Sequence, residues 1–290
     1  MNEVLARSKQ PLVLQSPLEV HSAVIRARTC GKRVGLVPTM GALHAGHLSL
    51  VHAAKAECDV VVATIFVNPA QFGPHEDFDS YPRSFESDIE ALADLQVDLL
   101  FCPATAEVYP PGFSTYVDPP DVAKRLEGEC RPGHFRGVAT VVLKLFHWIP
   151  AHVAYFGEKD FQQSLMIEHM VRDVGLPIEM RVCPIVRDQD GLALSSRNRY
   201  LSAIERQTAL ALSESLQLAE DLVRQGICET QIIRTEMRCV LEAQGIRDID
   251  YISICNPQTL EEQSEVHSNV VVLVAAYVGK TRLIDNRRIG

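Results

Sequence analysis

No C-x-x-C pair occurs in this chain of 290 residues, although it holds eight cysteines. Cys30, Cys58, Cys102, Cys130, Cys183, Cys228, Cys239 and Cys255 stand singly, which excludes zinc-ribbon and thioredoxin-type arrangements. Those in apolar contexts, such as Cys183 after Val182 and Cys255 after Ile254, read as small core fillers. No Asn-x-Ser/Thr sequon is present either, so the cysteine usage fits a reducing compartment and not a secreted disulfide scaffold. Long apolar runs are missing: Val270 to Val278 is the longest, far short of the roughly 18 residues of a membrane span. Met1 to Leu14 carries Glu3, Arg7 and Lys9 and lacks the apolar stretch of a signal peptide. Basic residues are outnumbered, 28 against 37 acidic, for a formal net charge of −9. That balance opposes a nucleic-acid binder with a broad basic face, while leaving room for a local basic pocket. Neither G-x-G-x-x-G nor H-E-x-x-H occurs, and Gly279-Lys280-Thr281 is no P-loop because position 274 is Val. The expectation is a cytoplasmic protein of small-molecule chemistry, with no nucleic-acid or membrane partner.

What is present is the balance of a soluble globular chain, 47% apolar and 22% charged. A chain this long can bury about three quarters of its unfolded surface, so its core needs no disulfide or metal. From Arg33 onward, short apolar runs alternate with helical stretches. Strands are expected at 33–38, 59–67, 97–101, 152–156 and 177–182, and helices at 46–58, 84–95, 137–149 and 160–174. Alternation of this kind implies crossovers and a parallel sheet, hence an α/β fold of Rossmann-like topology. The pattern changes after about residue 185. Two long helices, 203–225 and 229–243, then precede strands at 249–254, 270–277 and 281–286. The expected organisation is a Rossmann-like domain over 1–185 and a smaller α+β domain over 186–290.

Three segments carry groups suited to phosphate chemistry. The first, Val37-Pro-Thr-Met-Gly-Ala-Leu-His-Ala-Gly-His47, joins a strand to a helix, the place where open parallel sheets bind ligands. Its glycines allow close backbone approach, and a helix start favours anions. His44 and His47, three apart, share a face if both lie in the first helical turn. The second is Gly157-Glu-Lys-Asp-Phe-Gln-Gln163, again straight after a strand. The third, Asp190-Gly-Leu-Ala-Leu-Ser-Ser-Arg-Asn198, offers two hydroxyls and a guanidinium to phosphate oxygens. Taken singly, each is an ordinary polar loop or turn. Together they are a set.

That set resembles a known one. His44-x-Gly-His47 with Leu194-Ser-Ser-Arg197 is similar to the HIGH and KMSKS pair of the nucleotidyltransferase superfamily. The wording of Pro38 to His47, Phe66-Val-Asn-Pro-x-Gln-Phe72, Tyr155-Phe-Gly-Glu-Lys-Asp160 and Gly191 to Asn198 is narrower. It closely resembles the pantothenate synthetase (pantoate–β-alanine ligase) family, with the motifs in the family's order over residues 37–200. The alternative is another HIGH-motif nucleotidyltransferase.

The resemblance implies an ATP-dependent ligase that condenses (R)-pantoate with β-alanine, giving pantothenate, AMP and diphosphate through a pantoyl adenylate. It implies that Met40, Gly41, Ala42, Leu43, His44, Ala45, Gly46 and His47 hold ATP, with His47 the catalytic proton donor and His44 beside it. Gly157, Glu158, Lys159 and Asp160 would lie on the nucleotide, Val186 would flank adenine, and Leu194, Ser195, Ser196 and Arg197 would close over the phosphates. Lys159 and Arg197 supply catalytic charge in this reading; Gln71 and Gln163 bind pantoate, Gln71 also lying near β-alanine. Mg2+ would come with ATP, its protein ligands unknown, and a homodimer is inherited from the family. The KMSKS-like element here lacks the superfamily's lysine, so Arg197 is expected to supply its charge. Arg131, His134 and Arg136 form a local basic cluster that this reading leaves without a role.

Overall fold

A computed structural model describes residues 10–74 and 76–290. Its elements run β1 (Leu12–Leu14), α1 (Pro17–Thr29), β2 (Val34–Val37), α2 (Ala45–Glu57), β3 (Val60–Thr64), α3 (Phe85–Asp94) and β4 (Leu99–Phe101). There follow two single-turn helices, α4 (Thr105–Val108) and α5 (Glu127–Cys130), then α6 (His134–Trp148), β5 (Val153–Gly157), α7 (Phe161–Val174) and β6 (Glu179–Cys183). The six strands form one parallel sheet in the order β1-β4-β3-β2-β5-β6. All four residues of β2 are buried, as are four of the five in both β3 and β5. Continuous burial explains why these strands read as unbroken apolar runs and not as alternation. The chain leaves β2 outward through β3 and β4, then returns to its other flank as β5. This β2–β5 junction is the topological switch point, whose carboxyl ends are the favoured ligand site of such sheets.

The expected α/β class is correct, and the differences are local. β1 and α1 precede the point where the alternation becomes readable. β1 is three residues long with Leu12 and Val13 exposed, too short to show a period. α1 starts at Pro17, where a missing N–H costs nothing, and buries Val20 and Val24 while exposing Leu18 and Ile25, which blurs its face. The strand expected over 59–67 ends at Thr64, because the Phe66 N–H turns back to the Thr39 carbonyl. The helix expected from 137 begins at His134, launched by Gly133 in a left-handed conformation.

The chain divides into two compact units. Of the described residues, the first comprises 10–74, 76–119, 132–157 and 167–183; the second takes 184–290 together with 120–131 and 158–166. In the second unit α8 (Ala203–Arg224) and α9 (Thr230–Ala243) pack on an antiparallel sheet of β7 (Ile249–Cys255), β8 (Val270–Val278) and β9 (Thr281–Ile289), ordered β7-β8-β9. A capping box opens α8: Ser202 Oγ accepts from the Glu205 N–H, and the Glu205 carboxylate accepts in return from the Ser202 N–H. Leu212, Leu216, Ile233, Met237 and Leu241, spaced by four along their helices, meet Val270, Val272 and Val274 in the core. Each such side chain contributes about 1.5–3 kcal/mol on burial. Gly279-Lys280 makes the tight turn between β8 and β9, with Gly279 at positive φ. β9 runs on to Ile289 beyond the expected 286, since Arg287 is paired with Glu220 and Arg288 with Glu158.

Segment 120–131 is held in this unit by buried charge. Arg282 grips the Glu127 carboxylate with two hydrogen bonds, of 2.9 and 2.6 Å, and the Tyr251 hydroxyl donates a third of 2.7 Å. Burial pushes the Glu127 carboxyl up, but Arg282, Tyr251 and Arg131 outweigh it and hold the group below its ordinary range. Among the described residues no helix is long and apolar enough to cross a membrane.

Candidate active site

In the first unit, the turn from β2 to α2 is built on backbone bonds. Thr39 Oγ1 donates to the Thr64 carbonyl at 2.6 Å and accepts the Gly41 N–H, tying the turn to the end of β3. Gly41 and Ala42 both have positive φ, 79° and 50°. A left-handed alanine is strained, and what holds it is Asp88, 2% exposed, at the start of α3. The two Asp88 carboxylate oxygens accept the Ala42 and Leu43 N–H groups at 2.8 Å each, and the Ser84 hydroxyl at 3.2 Å. A Cβ on Gly41 would stand 3.0 Å from Asp88 Oδ2 and from Ile65, so only glycine fits.

His44 and His47 do not both lie inside the first helical turn. His44 is the N-cap of α2, its Nδ1 accepting the Gly46 N–H at 3.1 Å, and His47 follows within the helix. The rings nevertheless meet, centroids 4.1 Å apart at 36°. With Nδ1 as acceptor, neutral His44 carries its proton on Nε2. A cavity of about 320 Å³ lies against this turn, lined by Met40, Gly41 and Phe66 on one side and Arg83, Ser84 and Phe85 on another. That is the size of a small-ligand pocket.

Gln71 ends a 3-10 turn, Pro69–Gln71, capped by Asn68, which is 1% exposed. Here the amide orientations are determined. Asn68 Oδ1 accepts from the Ala70 N–H at 3.3 Å and from the Tyr109 hydroxyl at 2.7 Å, so Nδ2 is the donor end. That Nδ2 donates to the Gly137 carbonyl at 3.2 Å and to Gln71 Oε1 at 3.1 Å. Gln71 must then present Nε2, which stands 2.9 Å from Met40 Sδ. Gly137 is what admits α6 to this turn: a Cβ there would come within 2.1 Å of the Ala70 carbonyl oxygen.

The basic cluster of residues 131–136 disperses. His134 Nδ1 donates to the Gln71 carbonyl at 2.8 Å, and the Arg136 guanidinium lies 4.0 Å over the Tyr116 ring. Arg131 pairs with Glu127 in the second unit. Gly157, at the end of β5, lies on the strand beside β2.

The second unit holds the remaining predicted residues. Glu158–Asp160 form a 3-10 turn that leads into α7. Of the two adjacent glutamines there, Gln162 is structural: its Nε2 donates to the Val122 and Arg125 carbonyls and its Oε1 accepts the Glu127 N–H. Gln163, half-buried, is left as the candidate ligand contact. Val186 and Leu194 face each other across a short hairpin, the Leu194 N–H donating to the Val186 carbonyl at 3.0 Å. Ser195 caps a 3-10 turn, Ser196–Tyr200, by accepting the Arg197 N–H. The predicted residues thus fall into two sets, Met40–His47 with Gln71 and Gly157, and Glu158–Asp160 with Gln163, Val186 and Leu194–Arg197.

A family profile described as pantoate-beta-alanine ligase matches residues 12–288. The chain belongs to the pantoate–β-alanine ligase family. It is 52% identical over 259 residues to a pantothenate synthetase of Thermotoga petrophila, covering 89% of this chain and 92% of that one. The crystal structure of pantothenate synthetase from Thermus thermophilus superposes with a TM-score of 0.90 at 43% identity, covering 95% of this chain and 98% of that one. A pantoate-beta-alanine ligase from Francisella tularensis, complexed with beta-gamma ATP and beta-alanine, gives 0.80 at 36% identity over 96% and 97% of the two chains. Within this family member, sequence reasoning passed over Asn68, Asp88 and Tyr109. Asn68 had a signal, since Asn before Pro and three residues ahead of a candidate ligand is a capping pattern. Asp88 and Tyr109 had none, because their contacts span 46 and 41 residues of sequence.

Proposed function

We propose that this chain condenses (R)-pantoate with β-alanine at the expense of ATP. The observation that carries the reading is the match across 12–288, with the paired histidines and the oriented Gln71 in the matched region. A carboxylate is a poor acyl donor because its leaving group would be oxide. In the first step a pantoate carboxylate oxygen attacks the α-phosphorus, the bond to the bridging oxygen breaks, and diphosphate leaves. In the second the β-alanine amine attacks the acyl carbon, AMP leaves with the bonding pair of the C–O bond, and the amine loses a proton. Both steps ask mainly for positioning and charge stabilisation.

In this reading Met40–His47, Gly157–Asp160 and Leu194–Arg197 contact ATP and Val186 flanks its adenine. His47 is the proton donor as charge builds on the α-phosphate, with His44 Nε2–H beside it. Lys159 and Arg197 stabilise phosphate charge, and Asp160 reaches the ribose. Gln71 donates through Nε2 to pantoate, and Gln163 binds the same substrate. Magnesium would be carried mainly by the ATP phosphates, whose hard oxygens it prefers. So carried, it would supply counter-charge to the phosphates. The proposal includes a homodimer and a cytoplasmic location; the eight free cysteines favour a reducing compartment.

The test is exchange of labelled diphosphate into ATP with pantoate present and β-alanine omitted, followed by product analysis with all three substrates. Exchange, then AMP and pantothenate in equal amounts, is expected. Normal turnover without any exchange until β-alanine is added overturns the adenylate route, and absence of pantothenate overturns the function.

A further inference from the structure

We propose that Asp285 and Asn286, adjacent on β9, are positioning residues that hold the 158–160 turn and the 186–197 segment in one register. The inference rests on the reading that both segments contact the nucleotide. Along β9 burial alternates from Thr281 to Ile284, then breaks: Asp285 and Asn286 are both buried, 3% and 2% exposed. Two consecutive buried polar residues in a strand are costly unless each is bonded. Both are, and each bonds to a different segment.

Asn286 Nδ2 donates to the carbonyls of Glu158 and Lys159, 2.9 Å each, so one amide fixes two consecutive peptide units of the turn that carries Lys159. Asp285 receives Arg187 through two hydrogen bonds of 2.7 and 2.9 Å. The same guanidinium donates to the Gly191 carbonyl at 3.1 Å and to the Asn286 carbonyl at 3.3 Å. Arg187 follows Val186 directly and opposes Ala193 across the hairpin, so its anchoring sets where Val186 and Leu194 lie. The pair is itself locked, as the Asn286 N–H donates to Asp285 Oδ1 at 2.8 Å. A shift of the Arg187 segment must therefore break a bond to Asn286, the residue that anchors the 158–160 turn. Asn286 Oδ1 is buried with no hydrogen-bond partner among the described residues, so the side chain's hydrogen bonds here are those of its Nδ2 donors.

The experiment compares wild type, Asn286→Ala, Lys159→Ala and the double variant, varying ATP, pantoate and β-alanine in turn, with thermal melting of each protein. Asn286→Ala should raise the KM for ATP about tenfold through the two orphaned carbonyls, while the KM for pantoate and for β-alanine stays within about twofold. In the Lys159→Ala background the same change should cost almost nothing more, because both act through one turn. If Asn286→Ala fails to melt cooperatively, Asn286→Gln, which keeps the donors but displaces them by a methylene, is measured in its place. Equal KM changes for all three substrates, or losses that add fully to those of Lys159→Ala, overturn the proposal. Lys159→Ala alone separates the layers: an unchanged ATP KM there removes the nucleotide reading and the proposal with it. An ATP-deficient Lys159→Ala beside an ATP-neutral Asn286→Ala overturns only the positioning role.

Discussion

Replacing Asp88 by Asn changes one oxygen for an NH2 group and leaves the side-chain shape intact, yet it should be among the costlier substitutions in the first unit. The carboxylate accepts the Ala42 N–H on one oxygen and the Leu43 N–H on the other, both at 2.8 Å. An amide can serve only one of them and turns a donor against the other. A hydrogen bond to a charged group contributes about 1.5–3 kcal/mol, and an orphaned buried donor costs about 1–3 kcal/mol more. The expected loss is about 3 kcal/mol, taking the lower half of that sum. For a domain of roughly 150–250 residues each kcal/mol shifts Tm by about 2–4 °C, so the melting point should fall by about 6–12 °C. The strained Ala42 should relax at the same time and carry Met40–His47 with it, so diphosphate exchange should drop by at least about tenfold. Ser84→Ala serves as the control: it removes a single 3.2 Å hydroxyl contact to Asp88 and should shift Tm by no more than a few degrees. A Tm within about 2 °C of wild type for Asp88→Asn, with normal exchange, refutes the view that this carboxylate holds the turn.

Two further outcomes follow from buried contacts. The Glu127 carboxyl lies below its ordinary 4.5, so its stabilising effect is complete above that value and is lost as pH falls through the folded pKa. Glu127→Gln should therefore lower Tm at neutral pH, with the gap to wild type narrowing below about pH 4.5; a gap constant from pH 7 to pH 3 rejects the assignment. Gly137→Ala places a methyl 2.1 Å from the Ala70 carbonyl oxygen and 2.7 Å from the Gln71 N–H nitrogen. It should destabilise by about 1–3 kcal/mol and weaken pantoate more than ATP; isothermal titration of each ligand checks the ranking, and an intact pantoate affinity contradicts it.

The parallel sheet was readable from Arg33 onward because buried strands such as β3, Val-Val-Val-Ala-Thr, have few interpretations in a chain that alternates with amphipathic helices. β1 was not, since three residues at a sheet edge carry no period. The site followed the same division. The candidate residues within one turn, from Met40 to His47 or from Leu194 to Arg197, are adjacent in sequence and could be proposed from wording alone. The residues that hold them are remote: Asp88 lies 45 and 46 residues beyond the N–H groups it binds, and Asp285 is 98 from Arg187. A single sequence carries no mark of such pairings. What could have been noticed is local misfit: a polar Asp-Asn pair inside a strand interrupts the pattern, and strands disfavour both residues.

The bonding around Asn68 is also a statement about which molecules can be refused. The Ala70 N–H and the Gly137 carbonyl are main-chain groups that cannot reverse, and they orient Asn68, which in turn orients Gln71. Gln71 therefore cannot rotate its amide to suit a visitor without breaking bonds at Asn68. A compound of the right shape that offers N–H where the substrate offers oxygen meets a donor facing a donor. Discrimination of this kind can reach about 10⁴–10⁵, far more than shape alone achieves against a missing methylene. Where Gln71 meets the substrate as proposed, selection between look-alikes thus rests on two peptide groups read through the Asn68 side chain.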